Sequence, residues 1–318
     1  MSLPVIITEE QVAARIKPAA IDAVIENMFA AMASGQARNF PVIREQIGQP
    51  APIFGFKSGF DSAGPILGLK AGGYWPGNAA RGLTNHQSTV ILFEPGSGQL
   101  RALVAGNRLT ALRTAAAAAV SVRHLARDDA ATLSIVGAGA QAPFQIRAVV
   151  AQRGFDRLVI ANRTKSRAEA LAAELADLGI EISIGSAEEA ARAADVLITI
   201  TSSFEAQVEA EWIRRGTHIA CMGTDTRGKR EVADDLITAA QLFTDEVAQA
   251  ISIGECQHAF GAGLIEEKDI VALGDVILKR HGGRASADSI TLFDGTGVGL
   301  QDLFAADYAL SLIGGGSD

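Results

Sequence analysis

The sequence predicts an α/β protein in which a doubly wound parallel sheet is joined to a second domain of mixed α+β character. Three observations predict it. An apolar run from Thr132 to Val136 leads straight into Gly137-Ala138-Gly139 and a helical segment. Strand and helix patterns alternate from Ala130 to about Phe243, and the chain before Thr110 follows a different, proline-rich pattern. At 318 residues there is enough chain for two domains, each with a core of its own.

The N-terminal segment holds Pro41, Pro50, Pro52, Pro65, Pro76 and Pro95. Its short alternating runs, such as Ile66 to Leu69 and Thr89 to Phe93, read as antiparallel strands. Thr110 stands where it would cap a long alanine-rich helix running through Leu125. Thr132 to Val136 is then the first parallel strand, Phe144 to Gln152 a helix closed by Gly154, and Leu158 to Ala161 the second strand. Lys165 to Leu178 reads as an amphipathic helix closed by Gly179, and Glu181 to Ile184 as the next strand. Ser186 with Glu189 forms a capping box for a short helix through Ala194. Val196 to Thr201 and Thr217 to Met222 are apolar, β-branched strands of the kind covered on both faces. Right-handed crossovers join such strands into one parallel sheet. The tail returns with a strand, Ile290 to Phe293, and a helix, Leu300 to Leu312, expected to fold back onto the first domain.

Composition narrows the function. A net charge of −8 disfavours nucleic acid and anionic membrane as partners, because both demand clustered positive charge. No apolar stretch is long enough to span a bilayer, and the acidic start MSLPVIITEEQ has no signal-peptide pattern, so a cytoplasmic protein with a small-molecule partner is expected. Cys221 and Cys256 lack metal-ligand spacing, Cys221 sitting in an apolar strand where a buried thiol is the ordinary expectation. His124, His218, His258 and His281 show no zinc-ligand spacing either, and no metal is expected.

The glycine turn carries the first chemical inference. Gly137 permits the tight turn, Gly139 lets a pyrophosphate approach the backbone, and the following helix N-terminus offers N–H groups and a favourable dipole, with Ala142 standing for the third glycine. A lone Gly-x-Gly also suits a turn of no function, but the downstream alternation favours a dinucleotide site. At the end of the second strand, where an acid would hold a ribose 2′-hydroxyl, the chain has Asn162-Arg163-Thr164. Arg163 and Thr164 suit a 2′-phosphate, so NAD(P) is expected with a lean to NADP. Asn162 suits the unphosphorylated ribose as well, and Lys165 and Arg167 also read as solvated helix charges.

Several segments together resemble the ornithine cyclodeaminase and mu-crystallin family over almost the whole chain. They are Pro41-Val42-Ile43-Arg44, Gly68-Leu69-Lys70 with Pro76 and Asn78, Leu109 to Ala115, Gly137 to Gln141, Gly223-Thr224-Asp225 with Gly228-Lys229-Arg230-Glu231, Gly254-Glu255, and Phe293 to Gly297. The resemblance implies a Rossmann domain at 116–299 and a substrate-binding and dimerisation domain at 1–115 with 300–318. It also implies a homodimer, with the active site in a cleft between domains. It places Arg44, Lys70 and Arg113 around the substrate carboxylate or cofactor. Ala140, Gln141, Asn162, Thr201 and Gly223 fall with the glycine turn on the cofactor, and Asp225 at the reacting nitrogen. Lys70 is then a candidate for carboxylate binding or proton transfer. Outside the resemblance, Asp225 reads as a helix cap, and Arg44 and Lys70 as surface ion pairs.

Two departures bear on the substrate. Where relatives have Gly-Leu-Pro-Thr this chain has Gly82-Leu83-Thr84-Asn85-His86-Gln87-Ser88, and Gly295 replaces a serine of the late glycine motif. With Lys57, His86 adds to a surplus of cations and donors that suits a dicarboxylate, although a lone lysine is usually a surface residue. The expected activity is therefore an NAD(P)H-dependent reductase of a small α-imino acid, with iminosuccinate as candidate. A cyclodeaminase converting ornithine to proline with tightly held NAD is the alternative, and a crystallin-like binding protein the third.

Overall fold

The computed structural model describes residues 3–47 and 52–313; Pro50 and the end of the expected tail segment, 314–318, lie outside the described residues. The chain divides into two compact units, Met1–Arg113 with Val298–Asp318, and Thr114–Gly297.

In the first unit β1 (Val5–Ile7), β2 (Ala37–Asn39), β3 (Ile43–Gln46), β4 (Ile53–Asp61), β5 (Ile66–Tyr74), β6 (His86–Phe93) and β7 (Leu100–Ala105) form one sheet. The order is β1-β7-β6-β5-β4-β2, with β3 also on β4; all pairs are antiparallel except β1 with β7. The expected strands at 66–69 and 89–93 are longer in the structure. Residues 70–74 pair with neighbours on both sides, which outweighs the poor strand propensity of Gly72 and Gly73.

Two helices beyond the sequence expectations, α1 (Glu9–Arg15) and α2 (Pro18–Ala33), precede β2. Thr8 and Gln11 cap α1 reciprocally. Pro18 opens α2, where its missing N–H has no intrahelical partner to lose. Ile21, Ile25, Met28 and Phe29 of α2 are buried at three- and four-residue spacing. The terminal helix, Gly299–Ile313, packs against α2, β4 and β5 and so covers one face of the sheet. The opposite face is apolar: Phe56 and Ile6 are exposed, and Leu67, Ile91, Phe93 and Leu103 half-buried.

Thr110 is not a cap. Helix α3 (Asn107–Leu125) starts three residues earlier. The Glu9 carboxylate accepts from the N–H groups of Asn107 (2.8 Å) and Arg108 (3.1 Å). An acid supplied to the positive end of the helix satisfies the first free N–H groups of a helix that begins before Thr110.

The second unit holds β8 (Thr132–Val136), α4 (Ala142–Val150), β9 (Arg157–Ala161), α5 (Lys165–Glu174), β10 (Glu181–Gly185), α6 (Ala187–Ala193), β11 (Val196–Thr199), β12 (His218–Cys221) and α7 (Asp234–Ala239). There follow β13 (Gln241–Thr244), α8 (Val247–Ala250), α9 (Gln257–Gly261), β14 (Ile270–Ala272), α10 (Leu273–Ile277) and β15 (Thr291–Asp294). The strands form an all-parallel sheet in the order β10-β9-β8-β11-β12-β15-β13-β14. The order reverses between β8 and β11, and the crevice beyond their carboxyl ends is where such sheets bind ligands.

Departures from expectation have local causes. The helix expected at 165–178 ends at Glu174 and tightens into a 3-10 turn, Ala176–Leu178, before Gly179 at φ 69°. The strands expected to reach Thr201 and Met222 stop at Thr199 and Cys221, because the N–H groups of Thr201 and Gly223 turn to a side-chain acceptor, Glu231. β13 and β14 are too short to show a period in sequence. Both halves of the Ser186–Glu189 capping box are present. Val136, Leu197, Ile219, Leu236, Ile237 and Leu292 belong to the core of this unit, with Cys221 and Cys256 as buried free thiols. Among the described residues no helix is long and apolar enough to cross a membrane.

Candidate active site

In the first unit, strand pairing sets Lys57 opposite Lys70. The strand alternation turns both side chains to the helix-covered face, where each residue is 7% exposed. Neither is a surface lysine. The terminal helix presents Asp302, 0% exposed, to this face. Asp302 Oδ2 lies 2.8 Å from Lys70 Nζ and Oδ1 3.0 Å from Arg113 Nε, and the Thr110 hydroxyl donates to Oδ1 at 3.4 Å. Arg113 Nη1 donates to Gln301 Oε1 at 2.5 Å.

Burial lowers the Lys70 ammonium to about 8, against the upward pull of Asp302, with Arg113 and Arg44 pushing further down. For Asp302 burial acts upward, but Arg113, Lys70 and Lys57 outweigh it and hold the carboxyl down at about 2. Three cations, Lys57, Lys70 and Arg113, thus act on the one carboxylate of Asp302, and Arg44 and Arg113 act on Lys70. Such a group has the charge to receive an anion.

The unusual segment divides by role. Asn85 donates to the Tyr74 hydroxyl, and the Gln87 amide spans Thr84 and Asn107, so both are scaffold. Ser88 Oγ stands 3.5 Å from Thr110 Oγ1, beside the cation cluster. His86 opens β6, half-buried and opposite Tyr74.

In the second unit, β8 runs into Gly137, whose φ is 118° and where an added Cβ would lie 2.6 Å from Ile200 O. Gly139 has open space around it. α4 begins next with Pro143 in its first turn, and the Gln141 side-chain oxygen is buried with no hydrogen-bond partner. A cavity of about 380 Å³ adjoins the turn, lined by Ala138, Gly139, Ala140, Pro143, Arg167, Ala170, Leu171 and Glu174. Asn162 braces the turn: its Oδ1 accepts from Ala138 N and its Nδ2 donates to Thr164 O. Arg163 and Thr164 are exposed at the start of α5, where Thr164 makes no side-chain cap bond. Two of these features fit a dinucleotide phosphate: an open glycine turn and the helix N-terminus beside it.

Asp225 does not cap a helix, since the next helix opens only at Asp234. It lies on the segment after β12, with its Oδ1 2.9 Å from Lys229 Nζ and accepting from the Thr226 hydroxyl at 3.1 Å. Gln257 fastens this segment by accepting from Gly228 N at 2.7 Å and donating to Lys229 O at 3.2 Å. At Gly223 an added Cβ would lie 2.2 Å from Thr201 O, so the two strand ends meet only because this residue is glycine.

Sequence reasoning missed Asp302, Glu231, Glu255 and Asp294 as functional candidates, all of them buried. The signal for Asp302 was a charged residue beside Gln301 in the first turn of a largely apolar tail helix. Glu231 and Glu255 stood in recognised motifs without a role. Among the described residues no group of three His, Cys, Asp or Glu side chains is arranged to hold a metal ion.

Residues 4–312 match the family described as the Ornithine cyclodeaminase/mu-crystallin family. The chain is 47% identical to an iminosuccinate reductase of Paracoccus denitrificans (strain Pd 1222), covering 96% of each chain. It is 33% identical to an alanine dehydrogenase of Archaeoglobus fulgidus over 95% of this chain and 92% of that one. The crystal structure of the P. denitrificans iminosuccinate reductase in complex with NAD+ superimposes with a TM-score of 0.93 at 46% identity, covering 98% of this chain and 97% of that one. The chain belongs to the ornithine cyclodeaminase/mu-crystallin family.

Proposed function

We propose that this protein is an NAD(P)H-dependent reductase of a small α-imino dicarboxylate, with iminosuccinate as substrate and L-aspartate as product. The observation that carries the reading is the local excess of positive charge around Asp302, where Lys57, Lys70 and Arg113 are buried and the half-buried Arg44 acts on Lys70. A dianion offsets that excess, whereas a second ammonium such as ornithine carries would meet like charge in a partly desolvated site. The similarity to an iminosuccinate reductase over nearly the full length supports the same choice.

When bound, the nicotinamide supplies the hydride that adds to the imine carbon. Arg44, Lys70 and Arg113 hold the α-carboxylate. A forked guanidinium fixes the plane of the group, and Lys70, lowered to about 8, is poised to exchange a proton near neutrality. Lys57 and His86 take the second carboxylate. Asp225 stabilises the protonated imine nitrogen and exchanges its proton. Gly137, Gly139, Ala140, Gln141, Asn162, Thr201 and Gly223 serve the dinucleotide.

The reading is tested by reduction of the ammonia-derived imines of oxaloacetate, pyruvate and glyoxylate, beside pyrroline-2-carboxylate and ornithine. The dicarboxylic imine is expected to be used best, and Lys57→Ala and His86→Ala to cost it more than the monocarboxylic ones. Better use of a monocarboxylic or cyclic substrate, or a ranking untouched by both variants, refutes the dicarboxylate site. Ammonia release from ornithine without net cofactor turnover indicates the cyclodeaminase instead.

For the nucleotide we favour NADPH, on the exposed Arg163 and the free N-cap position of Thr164. Arg163→Ala is expected to weaken NADPH by about 1–3 kcal/mol relative to NADH, the worth of a hydrogen bond to a charged group. Equal titrations of both nucleotides before and after the substitution would dispose of the preference. The apolar outer face of the first sheet is the surface we assign to a second copy of the chain. Phe56→Asp should convert a dimer to monomers on a sizing column, and an unchanged elution volume would place the contact elsewhere.

A further inference from the structure

Seven hydrogen bonds converge on two buried carboxylates for which the chemistry above has no use. Glu231 Oε1 accepts from Thr201 N (2.5 Å) and the Thr201 hydroxyl (2.8 Å). Its Oε2 accepts from the Thr199 hydroxyl (2.8 Å) and Gly223 N (2.8 Å). Glu255 Oε1 accepts from Glu231 N (2.7 Å) and Val232 N (2.8 Å), and its Oε2 from the Thr224 hydroxyl (2.5 Å). The segment from Gly223 to Val232, which bears Asp225, is therefore held at both ends by carboxylates, beside the bonds of its middle to Gln257 of α9 and the bridge of Val232 to Val208.

The partners of Glu231 are all donors. Only an ionised carboxylate serves the four of them at once; a proton on either oxygen requires a threonine hydroxyl to turn over or leaves an N–H without an acceptor. A glutamine in its place would set an NH2 group against the same donors. The missing Cβ at Gly223 also belongs to this arrangement, since it would sit 2.6 Å from Glu231 Oε1.

We propose that Glu231 is a positioning residue whose ionised carboxylate ties the segment carrying Asp225 to the end of β11. The proposal rests on the role given to Asp225 above. Glu231 acts through that residue, two positions beyond its Gly223 contact, and touches no reactant itself.

The charges around the clamp make it responsive to pH. Burial, then the facing Glu255 carboxylate, push Glu231 up to about 7, while its bonds to Thr201 and Thr199 act downward. The other groups facing the pair are the Cys221 thiol at the end of β12, the Cys256 thiol beside Glu255, Asp294 at the end of β15 and Arg230 on the clamped segment, with Asp245 facing Asp294 in turn. Lys229 on the same segment is engaged with Asp225. Since the carboxylate is the clamping form, the clamp is present above about pH 7 and is lost as pH falls through that value.

Thr199→Val removes one donor to Glu231 with little change of shape, and Thr199→Ser returns it. The profiles of kcat against pH for both, with Glu231→Gln, and nucleotide affinity by nicotinamide fluorescence, form the test. The wild-type kcat is expected to fall on the acid side with a midpoint near 7, and Thr199→Val to move that midpoint up by about half to one unit, as loss of a bond to the charged form requires. Thr199→Ser should follow the wild type. Glu231→Gln should lose at least tenfold in kcat and the acid limb with it, and, because Thr201 and Gly223 also serve the dinucleotide, the Kd for NAD(P)H is expected to rise by a smaller factor than kcat falls. A Thr199→Val profile coincident with the wild type, or a Glu231→Gln enzyme with full kcat, overturns the proposal. If Glu231→Gln does not fold, the Thr199 pair decides alone. A near-normal rate in Asp225→Asn would instead remove the role of Asp225, a failure seen independently of the Thr199 profiles.

Discussion

Asp225→Asn is expected to lower kcat by about two to four orders of magnitude while leaving nucleotide affinity within about twofold. Asparagine keeps the volume and still offers an oxygen to the Thr226 hydroxyl, which donates to Asp225 Oδ1 at 3.1 Å. What it lacks is the charge that stabilises a protonated imine and the capacity to exchange that proton. Lys229, 2.9 Å from Asp225 in the native protein, adds to the loss, because in the variant its ammonium faces a cationic reactant without the neutralising carboxylate. Steady-state rates with a saturating imine, beside a fluorescence titration of NAD(P)H, separate the two quantities. A rate within about threefold of normal would make Asp225 a structural residue of its segment.

The second large effect is on stability. Asp302→Asn removes the counter-charge from two buried cations, Lys70 at 2.8 Å and Arg113 at 3.0 Å. Leaving a buried charge without its partner costs about 3–5 kcal/mol, which corresponds to a fall in Tm of roughly 10 °C. The pH dependence has a definite sign. The carboxyl is held at about 2 against an ordinary 3.8, so its contribution is present in full above that ordinary value and disappears as pH falls toward 2. The gap in Tm between wild type and variant should therefore narrow over that interval. Succinate, as a dianion able to neutralise the stranded cations, should recover part of the loss at neutral pH. An unaltered Tm in Asp302→Asn would mean that the cluster tolerates its charge without this residue.

What the sequence disclosed and what it withheld differ by range. Gly137 was legible because a strand, a glycine turn and a helix start are written within ten residues, and the chemistry that needs them is local. The Ser186–Glu189 box was legible for the same reason. Thr110 was misread because the acceptor that caps the helix instead, Glu9, is 98 positions from the helix start at Asn107. Asp302 was invisible as a site residue because its meaning comes from Arg113, 189 positions back, and from a lysine on a strand it covers only once folded. The resemblance brought Arg44, Lys70 and Asp225 forward as residues to test. It had nothing to say about the clamp on Glu231, which depends on where two strands end.

The division of the first unit along the chain sets an order of assembly. Its sheet is translated first, as residues 1–113, but the helix that covers that sheet and brings Asp302 to Lys70 and Arg113 belongs to the segment from Val298 onward. The second unit, Thr114–Gly297, is continuous and can close as soon as it leaves the ribosome. Throughout that time the nascent sheet holds its lysines without their acid, and its apolar faces are open to chaperones and to one another. A ribosome stalled before Val298 would thus release a chain whose later half is folded and whose earlier half is not, and protease should cut such a chain ahead of Thr114.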